Sequence, residues 1–253
     1  MNGPPRSFNR EPILPLMCRI PAASFLMGDR NGRDDEMPVH QVTLDEFKIA
    51  KYPVSNAEYA VFLKKTDHEN PKAWSEPRFD RPDYPVCGVS WVDAVSYAQW
   101  LSDLTGEMYH LPTEAQREYA TRGGHEQLSY PWGNDPIPLE GPYARGLSSP
   151  LTGGPITLGT PASHEPNGFG LYHMADNVHE WTADYYDEHY YERSPQRDPR
   201  GPQRSNRRAA RGGSWRHDIK YCRCAARSSL GPFKRFTDFG FRLAASGAFE
   251  YLY

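Results

Sequence analysis

The residues best equipped for chemistry gather between Arg211 and Arg242, where RGGSW is followed by an Arg- and Cys-containing stretch ending CAARSS and then by FGFR. Ser214, His217 and Cys222 there offer a hydroxyl, an imidazole and a thiol within a short segment. A soft ion such as Cu(I) takes thiolates, and a close pair of them suits it best. A non-haem Fe(II) centre takes two imidazoles and a carboxylate on one face, with positions left open for oxygen and substrate. His173 and His179 supply further imidazoles upstream, but the chain has no His-x-Asp/Glu or His-x-x-x-His spacing from which a facial triad can be read. Cys222 and Cys224 are two residues apart, so on a strand they would face opposite sides. At each of these positions an isolated hydrogen-bonding histidine or a small core cysteine is an open alternative.

The rest of the chain limits what such a site can serve. A net charge of -3 over 253 residues gives no global attraction to nucleic acid or an anionic membrane. The basic run Arg204, Arg207, Arg208 and Arg211 reads as a solvated loop. No apolar stretch approaches the ~18 residues that a spanning helix needs. The amino terminus is interrupted by prolines and lacks the apolar core of a signal peptide, so a cytoplasmic location is expected. Four cysteines are too few for a disulfide framework in a chain this long. A reducing compartment would keep them as thiols, with Cys18 and Cys87 in the core. The expected partner is a small-molecule or peptide/protein substrate, with neither nucleic acid nor membrane; the oligomeric state is not legible.

The elements that must position the candidate residues are short. Residues 1–16 read as a tail and residues 17–253 as one domain. The alternation of Val39, Val42, Leu44, Phe47 and Ile49 predicts paired strands. Ser55 with Glu58, Ser90 with Asp93 and Thr113 with Gln116 each set an oxygen-bearing cap three residues before an acid or amide, so three helices are predicted. Gly106 and Gly123 stop the second and third. Beyond residue 124 the helical period fades into turns, short aromatic strands and a long Pro/Gly loop from Asp135 to Pro166. The pattern is α+β with much irregular backbone and a core leaning on aromatic side chains.

Taken in order, FLMGD, EMPVHQVTLDEFKIAKYPVSNAEYAVF, YPVCGVSWVDAVSYAQWLSDLTGEMYHLPTEAQREYATRGG, YPWGN, PNGFGLYHMADNVHEWTADYY, RGGSW, CAARSS and FGFRLA cover most of Phe25 to Ala244. Together they resemble the formylglycine-generating enzyme family, also called the sulfatase-modifying-factor domain. The resemblance implies an α+β fold related to C-type lectins. It also implies one of several activities, among them copper- and oxygen-dependent oxidation of a sulfatase cysteine, sulfoxide synthesis, siderophore maturation and catalytically silent ligand binding. Membership alone therefore does not settle function.

The resemblance also implies site residues. The family's two copper cysteines lie three and eight residues after the serine of the GGS turn, which here are His217 and Cys222. One thiolate of the pair is thus missing. Counting back from CAARSS gives Ile219 instead of Cys222, because this segment is about three residues shorter than in the enzymes. A His217/Cys222 copper or iron site is one expectation, with Ser214 as a third catalytic candidate and Trp215, Arg216 and Tyr221 shaping the substrate pocket. His173 and His179 stand where relatives usually carry Asp and Trp. A structural calcium is implied on main-chain oxygens near Asp176, Asn177 and Val178 with the Glu180 carboxylate, although Glu180 would serve equally well as a cap on that loop. A second calcium site looks lost around Tyr143 to Thr152.

Two functions from different classes follow. The first is an atypical, oxygen-dependent oxidoreductase of this family that does not oxidise a sulfatase cysteine. The second is a binding scaffold, including a retroelement-diversified variable protein, that presents Arg216, Tyr221, Phe233, Lys234 and Phe236 to a ligand.

Overall fold

A computed structural model describes residues 11–136, 165–247, 249 and 251. The loop expected from Asp135 to Pro166 and the lost calcium site around Tyr143 to Thr152 lie largely or wholly outside these residues.

Three helices form where the capping signals place them: α1 (Asn56–Thr66), α2 (Trp91–Thr105) and α3 (Glu114–Arg122). Each opens with a complete capping box, the cap oxygen accepting from the N3 amide while the N3 side chain accepts from the cap amide. These reciprocal bonds satisfy two donors that the first turn leaves orphaned. α2 and α3 end on Gly106 and Gly123, both in the left-handed region.

Among the described residues ten short strands make three sheets. β1 (Met17–Ile20), β4 (Phe47–Ala50), β10 (Ala244–Ala245) and β5 (Tyr109–His110) form one antiparallel sheet. β2 (Ala23–Met27) and β3 (His40–Leu44) form a second, so the strands around Val42 and Ile49 exist but pair with β2 and β1 instead of with each other. The third sheet runs β8 (Arg227–Leu230), β7 (Arg208–Arg211), β6 (His179–Tyr185) and β9 (Phe239–Gly240). Its β6–β9 pair is parallel, with His179 opposite Phe239 and Glu180 opposite Gly240. Helices, sheets and long irregular connections together are the α+β architecture that the sequence implies.

An aromatic cluster of Tyr59, Phe62, Tyr97, Trp181, Phe239 and Phe241 joins α1 and α2 to the third sheet. Each buried ring contributes about 1.5–3 kcal/mol. The opposite side of that sheet is held by charge. All nine residues of α3 are buried. Glu114 takes a bidentate pair from Arg227 on β8, Glu118 takes Arg211 on β7 and Arg122, and Arg117 donates to Glu180 on β6. Of the basic run read as a solvated loop, Arg204 and Arg207 are exposed, and the reading is corrected for the other two. Arg208 and Arg211 sit on β7, whose residues are all buried, because the glutamates of α3 and the carbonyls of Ala183 and Ala225 receive their guanidinium groups.

Candidate active site

The parallel β6–β9 pair builds the site. His179 opens β6 and donates its backbone N–H to the Asp238 carbonyl at 2.8 Å, which fixes residue 238 beside residue 179. The RGGSW turn then brings a third segment to the same place. Gly212 has φ of +78° and Gly213 is packed so tightly that a Cβ would collide with Cys222 Sγ and the Ala175 carbonyl. Only a glycine fits there without displacing its neighbours. The Trp215 N–H donates to the Asn177 carbonyl at 2.8 Å, and His217 closes a turn onto the Ser214 carbonyl at 3.0 Å.

In the resulting cluster His179 Nε2 and His217 Nδ1 share a hydrogen bond of 2.7 Å. Ser214 Oγ lies 3.2 Å from His217 Nδ1 and donates to Asp238 Oδ2 at 3.3 Å. His217 Nε2 is 3.8 Å from the same carboxylate oxygen. One ligand atom from each of His179, His217 and Asp238 can be chosen so that all lie within 4.8 Å of one another. His179 and Asp238 are buried, whereas His217 is part-exposed and opens the cluster to solvent.

Electrostatics keep both rings neutral. Burial, reinforced by the neighbouring His217, pushes His179 down to about 3, although the Gly212 backbone opposes the shift. Its Nδ1 closes no hydrogen bond of good geometry. His217 is also lowered, by burial first, with Asp238 acting against that and Arg216 with it. Neutral imidazoles carry the lone pairs that a metal ion takes. Two such rings and one carboxylate are the donor set of non-haem Fe(II) centres, so the residues present fit a divalent first-row metal.

They do not fit the copper pair. Cys222 is buried against Tyr130 and Ala175, its thiol is pushed up by burial, and it does not join the His179–His217–Asp238 group. Its place among the catalytic candidates is therefore corrected: the shortened segment tucks it beneath Gly213. Cys224 packs beside the α3 ion pairs, with its thiol pushed up to about 12.

Glu180 is corrected as a calcium ligand. Its Oε2 accepts from Arg117 Nε at 2.8 Å and Arg242 Nε at 2.7 Å, and its Oε1 accepts from Arg242 Nη2 at 2.8 Å. A dication there would face two guanidinium groups. Asp176 pairs with His173 at 3.2 Å, the Asn177 carbonyl accepts from Trp215, and the Val178 side chain joins an apolar cluster with Trp215 and Phe79. His173 therefore belongs to this loop and not to the imidazole pair.

Among the expected pocket residues, Arg216 lies 2.9 Å from Asp238 Oδ1, and the Tyr221 ring is 5.3 Å from that of His217. Trp215 is buried beneath Arg78, whose guanidinium stacks 4.1 Å from its ring centre. Asp238 is the residue that sequence reasoning missed. The available signal was slight: it is the sole acid between Arg227 and Arg242 and stands directly before FGFR.

The formylglycine-generating enzyme of Streptomyces coelicolor is 34% identical over 283 residues, covering 89% of this chain and 88% of that protein. The structure of PvdO from Pseudomonas aeruginosa superposes with a TM-score of 0.76 at 29% identity, covering 92% of this chain and 94% of that one. Variable protein 1 of Treponema denticola has the same fold, with a TM-score of 0.76 at 23% identity over 90% and 94% of the two chains. A family model described as the sulfatase-modifying factor enzyme 1-like domain matches residues 5–246, and the chain belongs to that family, whose α+β fold it shares.

Proposed function

We propose that the chain is an atypical, oxygen-dependent oxidoreductase of this family, built around a metal held by His179, His217 and Asp238 instead of by paired cysteines. The observation that carries the reading is the convergence of these side chains from three separate segments. A divalent iron bound there would supply oxygen activation, with positions open for substrate.

The protein's own residues set the conditions for that chemistry. Ser214 orients Asp238 by donating to Oδ2, and Arg216 balances its charge from the solvent side. Phe239 packs 5.0 Å from His179 and, with Trp181 behind it, keeps water from the inner face of the rings. Tyr221 flanks His217 at the mouth, where a small-molecule or peptide substrate would enter. Oxidation of a sulfatase cysteine through a thiolate-bound copper is not part of this reading, because Cys222 lies outside the cluster.

Anaerobic loading with Fe(II), followed by nitric oxide, tests the proposal. An electron paramagnetic resonance signal of a ferrous-nitrosyl centre that disappears in Asp238→Ala supports an open iron site. No signal, or one indifferent to Asp238, contradicts it.

A second reading, the binding scaffold, draws on the exposed rings of Phe233 and Phe236, which flank Lys234 between RGGSW and FGFR. Metal-independent ligand binding abolished by Phe233→Ala would favour it.

A further inference from the structure

Asp238 is a fully buried carboxylate beside part-exposed His217, and the cation that meets it comes from an exposed side chain. Arg216 Nη2 lies 2.9 Å from Oδ1, and its side chain is 40% exposed. The contact is close but poorly aligned, since Oδ1 forms no hydrogen bond of good geometry. The second oxygen has Ser214 and lies near His217. A buried carboxylate is costly unless its charge is matched, so without a metal the cleft depends on this guanidinium. A dication on the same donors would neutralise Asp238 itself and repel Arg216.

The backbone around Arg216 is anchored. Trp215 is buried and bonded to the Asn177 carbonyl, and His217 closes the turn onto Ser214. The arginine side chain can therefore move without carrying the metal ligands with it. Beyond it, Lys220 sits over the Tyr221 ring at 5.3 Å and adds a second cation on the His217 side of the mouth, partly offset by exposed Asp218. A freed guanidinium presents a planar fork that matches a carboxylate with two parallel hydrogen bonds.

We infer that Arg216 is an exchangeable counter-ion, covering Asp238 in the metal-free cleft and anchoring a carboxylate of the substrate once a metal is bound. The substrate class is then a carboxylate-bearing molecule, held by Arg216 beside the metal. This rests on the metal-centre reading of the cleft.

Calorimetric titration of Co(II) into metal-stripped wild type, Arg216→Gln, Arg216→Lys and His217→Ala, followed by succinate with and without Co(II), tests the inference. Wild type should bind succinate about tenfold more tightly when Co(II) is present. Arg216→Gln should bind Co(II) about tenfold more tightly than wild type, because a competing positive charge is gone, and should lose the succinate gain. Arg216→Lys keeps a charge for Asp238 but lacks the fork, so it should bind Co(II) like wild type and succinate more weakly. Co(II) affinity and succinate gain both unchanged in Arg216→Gln would overturn this inference and leave the metal centre standing. No Co(II) binding to wild type, or equal binding to His217→Ala, would overturn the metal-centre reading and this inference with it.

Discussion

His179 Nε2 and His217 Nδ1 meet at 2.7 Å although they stand 38 positions apart in the chain. Two neutral ring nitrogens at that distance either share one proton or share one cation. On the metal-centre reading proposed above, the nearby Asp238 carboxylate would supply the negative charge that such an ion needs.

Glu180 is expected to be structural and indifferent to calcium. Glu180→Ala leaves Arg117 and Arg242 without their shared carboxylate, and breaking such a buried pair costs about 3–5 kcal/mol. Urea unfolding should show the same loss in calcium and in chelator. A loss confined to calcium-containing buffer would restore Glu180 as a calcium ligand.

The thiols make a second test. Burial raises all four thiols, with Lys51 and Arg242 acting against it at Cys18, and only Cys18 is part-exposed. At about pH 8 the native protein should react with iodoacetamide at Cys18 first, while the other three wait for unfolding. Rapid native labelling of Cys222, mapped by mass spectrometry, would mark it as an activated thiolate and revive a thiol-based site.

Acid should weaken the fold through His110. This ring is buried, bonded to the Leu111 carbonyl and Ser246, and stacked 3.7 Å from Phe249. Burial lowers it to about 4 from an ordinary value of 6.5, with the Leu111 bond acting in the other direction. Between those values the unfolded chain holds more protons than the native one, so stability is full above 6.5 and falls as pH drops toward 4. The loss is about 3 kcal/mol over that window. His110→Gln should flatten that part of the pH profile. An unchanged slope would remove His110 as its source.

Local signals were legible in the sequence and long-range ones were not. The capping boxes at Ser55, Ser90 and Thr113 involve groups three residues apart, so helix starts can be read directly. Ser214 and His217 stand out because the RGGSW turn marks their segment, and His179 because an imidazole replaces an expected indole. Asp238 reaches the cluster only through the parallel β6–β9 pairing, a contact between residues about sixty positions apart that leaves no periodic trace. Spacing misled at Cys222, where the right count lands on a residue that the shortened segment buries. Composition misled at Arg208 and Arg211, since a basic run looks solvated until the glutamates of α3 are found opposite Arg211 and the Trp91 and Tyr185 rings with the Ala183 carbonyl around Arg208.

Metal content is the most direct test of the central claim. Untagged protein would be loaded anaerobically with Fe(II), desalted and assayed by elemental analysis as wild type, His217→Ala, Asp238→Asn and Cys222→Ala. About one iron per chain is expected in wild type and Cys222→Ala, with iron lost from His217→Ala and Asp238→Asn. Iron retained in the latter two, or lost with Cys222, would contradict it.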